Sequence, residues 1–318
     1  MQAVKTIFKK ELADHFSSYR FMILFALIAM VSMITVYMVG INLKQELEGT
    51  AKPRFVFLML FTSSGGLFSL VQFVAFFGPL IGLILGFDSI NRERSEGTLS
   101  KLLSQPIFRD DVINGKFLAG MATIAIIMIS IVLVITGLGL SLLGVIPGVE
   151  ELWRILMYLI ISIIYISFWL GVAILFSILF RNVATSALAA LAAWIFFSFF
   201  ISLGASVMAG AISPEADENN PAALMTRLKI SKAIALTSPM VLYSDSAATI
   251  IDPMRRTTRS FVQLGMMERI SMARFSGPLA LSQSVLVVSP YVVTLLAITV
   301  VCFAISYTVF MRQEIRSL

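Results

Sequence analysis

Cysteine and histidine are almost absent from this sequence of 318 residues, since Cys302 and His15 each occur alone. A lone cysteine cannot form a disulfide within the chain. A metal site needs more ligands than one cysteine and one distant histidine can supply. We therefore expect no redox chemistry, no metal site and no cofactor in this chain.

Charged residues are also scarce. They make up 13% of the chain, whereas 58% of the residues are apolar and the mean hydropathy is +0.93. About a quarter of the residues in a soluble domain are charged, so this composition predicts an integral membrane protein. The net charge of +6 does not indicate a nucleic-acid partner, because the basic residues lie between apolar runs and form no single basic face.

Catalytic and ion-coupling patterns are missing as well. Gly115-Lys116 is the only Gly-Lys pair, and the residues around it do not complete the phosphate-binding motif G-x-x-x-x-G-K-[ST]. No G-x-S-x-G sequence is present to hold a nucleophilic serine. We therefore expect no catalytic residue and no enzymatic activity in this chain. The apolar runs contain no ionisable group, which disfavours a proton- or ion-coupled carrier.

Six stretches without Asp, Glu, Lys or Arg are each long enough to cross a bilayer as a helix. Gly65-Gly66 predicts a late start for the second helix, and Pro290 predicts that the last helix has proline in its first turn. We predict an all-α polytopic membrane protein with a single transmembrane domain over residues 1–318. The predicted transmembrane helices are 21–43, 67–87, 117–146, 155–180, 183–209 and 290–311.

Lysine and arginine in the short flanks of these helices predict the orientation, because cytoplasmic loops carry an excess of both. One side has twelve of them, in the N-terminus, the loop 88–116, Arg181 and the C-terminal tail. The opposite side has four, which are Lys44, Lys52, Arg54 and Arg154. We therefore predict a multi-pass protein of the cell (plasma or inner) membrane, with both termini and the 88–116 loop in the cytoplasm.

Two segments outside the spans have patterns of their own. Residues 1–20 predict a basic amphipathic helix in the cytoplasmic interface, in preference to a solvated leader. Residues 210–289 predict an extracytoplasmic insertion of two or three short helices, some at the interface, in preference to a flexible linker. The apolar stripe of the first segment comprises Val4, Phe8, Leu12, Phe16 and Tyr19.

Small residues recur on two of the predicted helices. Glycines at every fourth position form one face of the second helix, and the fifth helix is rich in alanine. Such faces let helices approach closely, so we predict helix packing or a dimer interface there. The residues are Gly78, Gly82, Gly86, Ala189 and Ala193.

The loop 88–116 contains the pattern of a short amphipathic helix. Leu99, Leu102 and Leu103 form an apolar face on the aqueous side, and Gln105-Pro106 ends the helix. A helix this short is marginal alone and needs a surface to dock on, so we expect a cytoplasmic protein partner. A merely structural loop would leave the apolar face unexplained.

The order of residues in this loop resembles the cytoplasmic segment of ABC-2 type permeases, the membrane subunits of ATP-binding-cassette exporters. The matching features are Glu-Gly-Thr-Leu at 96–99, Leu102-Leu103, Ser-x-Pro at 104–106, Arg109 and Gly115-Lys116. The basic amphipathic leader, the six spans and the outer insertion resemble the same family. One similar branch is the permease of the nitrous-oxide-reductase maturation transporter.

The resemblance implies a division of labour between subunits. Two such chains, as a homodimer or with a similar chain, would form the translocation path in the lipid bilayer, and separate cytoplasmic ATPase subunits would supply the energy. The 1–20 segment would be a connecting helix, and the insertion would be available to an extracytoplasmic partner. ATPase coupling is expected from Glu93, Arg94, Glu96, Gly97, Thr98, Leu99, Leu102, Leu103, Pro106 and Arg109.

Two functions are therefore open. The first is the permease subunit of an ATP-driven exporter, whose charge-free spans would tolerate an apolar or amphipathic cargo such as a lipid or a peptide. The alternative is a non-conducting scaffold or mechanotransmission subunit that docks a cytoplasmic ATPase and an outer partner.

Overall fold

The computed structural model describes residues 2–47, 55–62, 69–98, 107–212, 221–254 and 278–313. Within these ranges the chain is helical and contains no strand, so the predicted all-α fold is confirmed. The helices are α1 (Gln2–Ser17), α2 (Tyr19–Leu47), α3 (Val56–Thr62), α4 (Leu70–Gly86), α5 (Asn91–Ser95), α6 (Arg109–Leu143), α7 (Val149–Leu179), α8 (Val183–Ile195), α9 (Ile201–Ile212), α10 (Pro221–Ala235), α11 (Pro239–Ile251) and α12 (Leu281–Arg312).

Six segments in the described part of the chain are long and apolar enough to cross a membrane, which confirms the predicted six-span protein. They are α2, α4 with α5, α6, α7, α8 with α9, and α12. A π-helical segment, Phe196–Phe200, joins α8 to α9 within one span. The spans α2, α8–α9 and α12 are mostly exposed, as helices that face lipid or another subunit must be. Ala189 and Ala193 on α8 are half-buried.

α7 lies at the centre of the bundle and packs against α4, α6, α11 and α12. Its contact with α4 depends on glycine. A Cβ at Gly82 would lie 2.6 Å from the carbonyl oxygen of Ile166, and one at Gly86 would lie 2.7 Å from the Cβ of Ala173. A Cβ at Gly78 would lie 3.2 Å from Cγ1 of Ile166. The predicted glycine face therefore packs on α7 of the same chain, at a distance that larger residues do not permit.

Contacts between helix ends define the two ends of the bundle. At the first, which we call the terminal end, Arg20 at the start of α2 pairs with Asp88 after α4 at 3.2 Å. Gln313, which follows α12, donates from Nε2 to the carbonyl oxygen of Ile178 in α7 at 2.8 Å. The opposite end, which we call the distal end, contains Arg154 near the start of α7.

α10 and α11 enter the bundle from the distal end and return to it, with a bend of 108° between them. At the bend the Ser238 hydroxyl donates to the carbonyl oxygen of Phe197, in the π-helical segment halfway along the fifth span, at 2.7 Å. α11 is buried along most of its length, and Tyr243 and Ile251 are fully enclosed. The apolar sequence of α11 therefore packs inside the bundle and does not lie in the interface.

The prediction that Pro290 lies in the first turn of the last helix is wrong. α12 begins at Leu281, more than two turns before Pro290, so the proline lies inside the helix. Proline leaves the carbonyl of Leu286, four residues earlier, without its usual donor. The Ser289 hydroxyl donates to that carbonyl at 2.9 Å, which is one way in which membrane helices tolerate proline.

Candidate functional site

Three helices meet around a buried lysine at the terminal end. Lys116 of α6 donates from Nζ to Oε1 of Glu11 in α1 at 2.9 Å and to Oε1 of Glu93 in α5 at 3.0 Å. The side chain of Lys116 is 4% exposed, that of Glu11 9% and that of Glu93 14%. Lys10 is half-exposed and adds a second cation, 3.4 Å from the same oxygen of Glu93. We call these four residues the ionic junction.

Local packing explains why Glu11 reaches Lys116. α1 lies against the start of α6, where Gly115 leaves room for Ile7. A Cβ at Gly115 would lie 2.7 Å from Cγ2 of Ile7. Ile7 and Glu11 are one turn apart, so they lie on the same face of α1, and both are buried.

The apolar stripe predicted on α1 lies beside this buried face. Val4, Phe8 and Leu12 are half-buried, whereas Phe16 and Tyr19 are exposed. Neither Ile7 nor Glu11 belongs to the predicted stripe. Glu11 is buried whereas Asp14, the other acidic residue of the basic leader, is exposed, so charge alone does not mark the buried face in the sequence.

Burial and charge have opposite effects on the pKa values of the ionic junction. Burial alone would raise the pKa of Glu11, but the charges and hydrogen bonds of Lys116 and Lys10 outweigh it and hold this pKa below its ordinary value of 4.5. Burial alone would lower the pKa of Lys10, but Glu11 and Glu93 raise it above 10.5. Burial lowers the pKa of His15, one turn further along α1. Glu11 is therefore a carboxylate and Lys10 an ammonium group at neutral pH.

α5 makes a second set of contacts through Arg94. Arg94 donates to the side-chain oxygen of Gln313. Arg109, at the start of α6, donates to the main-chain oxygen of Gln313 at 2.8 Å, and Gln313 donates to Ile178 of α7. We call these four residues the Gln313 junction. It joins α5 and α6 to the end of α7 and to the residue after α12.

The start of α5 is attached to α7 by Ser177. The buried hydroxyl oxygen of Ser177 accepts from the N–H groups of Ile90 at 2.9 Å and Asn91 at 3.1 Å. These donors have no partner within α5, because the first N–H groups of a helix never do. α5 has only five residues, yet it contacts α1, α6, α7 and Gln313. A displacement of α5 must therefore move or break contacts to all of these elements.

A cavity of about 560 Å³ lies beside the ionic junction, between the end of α1, the end of α4 and α5. Charged side chains on its wall are paired, Arg20 with Asp88 at 3.2 Å and Arg92 with Glu96 at 3.0 Å. The polar wall gives water access to one side of the junction, which lowers the cost of placing charges there.

The chain matches the family model of the ABC-2 family transporter protein over residues 5–315. It belongs to the ABC-2 transporter family. The chain is also similar to the probable ABC transporter permease protein NosY of Pseudomonas aeruginosa, with 30% identity over 153 residues. That match covers 47% of this chain and 49% of the relative, so the chain spans about half the length of the curated relative it matches.

In this ABC-2 transporter chain, several of the predicted coupling residues have partners within the chain. Glu93 lies in the ionic junction, and Arg94 and Arg109 lie in the Gln313 junction. Glu96 is exposed and pairs with Arg92. The structure brings Glu93 and Arg94 to two different sets of helices, which the sequence did not indicate.

The remaining coupling residues follow α5. Gly97 has a φ of +69°, a region that favours glycine, and the Thr98 hydroxyl donates to the carbonyl oxygen of Glu93 at 3.2 Å. Together they turn the chain away from α5. The other predicted residues lie outside the described part of the chain; they are Leu99, Leu102, Leu103 and Pro106.

Sequence reasoning missed four residues of this ABC-2 site. Glu11 and Lys116 were not predicted to meet, and Ser177 and Gln313 were not singled out. Ser177 is one serine in an apolar helix, and Gln313 follows a span, so neither carries a distinctive motif. Lys116 was noted in the sequence only as part of the Gly115-Lys116 pair, which is one of the motifs of the family resemblance.

Proposed function

We propose that this chain is the permease subunit of an ATP-binding-cassette exporter, in which two copies form the translocation path and separate cytoplasmic ATPase subunits supply the energy. Family membership and the likeness to a probable permease protein support this assignment. The terminal end has the excess of lysine and arginine in the flanks of the spans, so it lies in the cytoplasm of a cell-membrane protein.

The position of α5 is the observation that carries the proposal. Gly97 ends α5 and leads into residues 99–106, the segment proposed as the coupling helix. A partner bound to that segment pulls on α5. The ionic junction links α5 to α1 and α6, and the Gln313 junction links it to α7 and the end of α12. Movement of an ATPase therefore reaches four long helices through one short element.

Two kinds of surface are then needed. In the sequence, Leu99, Leu102 and Leu103 supply the anchors for a groove in the ATPase. Several apolar side chains of α2, including Met30 and Ile34, are more than half exposed, and they supply a surface for lipid or for the second copy.

The test is recovery of the ATPase with the permease. The tagged chain is extracted from its own cells in mild detergent, and the co-purifying soluble proteins are identified and assayed for ATP hydrolysis. The variant Leu102→Asp with Leu103→Asp places two charges in the proposed apolar contact. The matched control is Ile146→Asp with Val149→Asp, at two exposed apolar positions of the distal end.

We expect the wild-type chain and the control to recover an ATPase, and the leucine variant to lose at least nine-tenths of it while remaining folded in the membrane. A leucine variant that recovers the ATPase at wild-type yield would show that residues 99–106 are not the docking segment. Absence of an ATPase from every preparation would contradict the proposed function.

A further inference from the structure

The distal end of α7 contains a fully buried arginine that takes no part in the proposed coupling site. Arg154 donates from Nη1 to the carbonyl oxygen of Ile250 at 2.8 Å, and this nitrogen lies 3.3 Å from Oγ of Ser284. Its Nη2 donates to the carbonyl oxygen of Leu279 at 2.6 Å and to Oε1 of Glu150 at 3.0 Å. One guanidinium thus joins the start of α7, the end of α11 and the start of α12.

The chemistry of arginine suits this position. A buried cation is retained only where hydrogen-bond partners surround it, and Arg154 is 0% exposed. The planar guanidinium reaches the carbonyls of Ile250 and Leu279 at the same time, through two different nitrogens. A lysine ammonium is a single point charge and does not reproduce this geometry.

α7 connects Arg154 to α5 without a break. It is one helix of 31 residues without proline, which corresponds to a length of about 46 Å. Along its length it packs at backbone distance on the glycine face of α4. At its terminal end Ser177 accepts the first N–H groups of α5. α7 therefore has one attachment to α5 and another, through Arg154, to α11 and α12.

We infer that α7 carries the displacement of α5 to the distal end, and that Arg154 is the positioning residue that makes α11 and the start of α12 follow α7. This rests on the proposed function, in which a bound ATPase moves α5. Without Arg154, α7 still moves with α5 and still packs against α11 and α12. The distal ends of α11 and α12 then lose the hydrogen bonds that make them follow that movement.

The movement is measured on the chain in complex with its ATPase, with and without ATP and vanadate. Spin labels are placed at Lys44→Cys on α2 and Met254→Cys just after α11, both exposed, in a Cys302→Ser background. Electron–electron double resonance gives the distance between the labels. Arg154→Met removes the donors and keeps an unbranched side chain. Arg181→Met is the matched control, because Arg181 is exposed just beyond the other end of α7.

We expect the nucleotide-dependent change in this distance to fall by more than half in Arg154→Met, while ATPase binding and ATP hydrolysis stay within twofold of wild type. The Arg181→Met change should equal that of wild type. A full change in Arg154→Met would overturn the inference, and so would the absence of any change in a wild-type complex that holds its ATPase. A wild-type chain that binds no ATPase would instead refute the proposed function.

Hydrogen exchange tests the attachment without the ATPase. In Arg154→Met, amides near Asp252 and Ser284 should exchange at least tenfold faster, while those of Ile90 and Asn91 stay at the wild-type rate. Wild-type exchange near Asp252 and Ser284 would show that Arg154 does not position them. If the methionine variant does not fold, Arg154→Lys replaces it in both experiments, because it keeps the charge but cannot bind both carbonyls.

Discussion

Replacing Lys116 by methionine tests the ionic junction most sharply. The Lys116 side chain is 4% exposed, and it makes two charge-assisted hydrogen bonds, at 2.9 and 3.0 Å. Its replacement removes this cation and leaves two carboxylates in a largely buried site. Removing one partner from a buried ion pair costs about 3–5 kcal/mol. Lys10 remains 3.3 Å from Glu11 and 3.4 Å from Glu93, so we expect a loss near the lower end, about 3 kcal/mol.

The assay is equilibrium unfolding in mixed micelles titrated with sodium dodecyl sulfate at neutral pH. Lys44→Met is the matched control, because Lys44 is exposed on α2, and we expect it to lie within about 0.5 kcal/mol of wild type. A double-mutant cycle with Glu93→Gln should give a coupling energy of about 1–3 kcal/mol. Equal stability of the Lys116 and Lys44 variants would show that the ion pairs of Lys116 do not stabilise the folded chain.

Two further predictions concern packing and pH. Gly82→Leu should lower the free energy of unfolding by about 3 kcal/mol or more, because the new side chain meets the backbone of α7. The control Gly137→Leu, on an open face of α6, should have little effect. Equal unfolding curves for the two variants would contradict the close contact between α4 and α7. Glu11 has its pKa below 4.5 in the folded chain, so its contribution is present above that pH and is lost as the pH falls through the folded value. The difference in unfolding midpoint between wild type and Glu11→Gln should thus be constant from pH 7 to 5 and disappear only below pH 4.5. Asp14→Asn, at an exposed position, is the control. A difference that disappears above pH 5 would exclude Glu11 as the titrating group.

The six spans could be predicted because each requires about 20 largely apolar residues. The first and last residues of the spans were harder to predict. A proline usually lies at the start of a helix, but Ser289 donates to the carbonyl that Pro290 leaves free, so α12 continues through it. The burial of α11 could not be predicted, because the sequence does not show which apolar surface covers it.

The contacts of the site could not be read from the sequence, because they join distant positions. Glu11 and Lys116 are 105 positions apart, and Arg94 and Gln313 are 219 positions apart. Charged residues in a basic leader and a loop are usually solvated, and nothing local distinguishes those that are buried. The family resemblance indicated Glu93, Arg94 and Arg109 as a group. Only the fold shows that Glu93 attaches α5 to α1 and α6, and that Arg94 and Arg109 both bind Gln313.

Site-specific photo-crosslinking tests whether the chain beyond α5 binds an ATPase at the terminal end. A photoreactive amino acid replaces Glu96, which is half-exposed at the end of α5, and in a second chain replaces Ile146, which is exposed at the distal end. After irradiation of cells, we expect a crosslink from position 96 to a soluble ATPase and none from position 146. No crosslink from position 96, in cells that contain the ATPase, would contradict it.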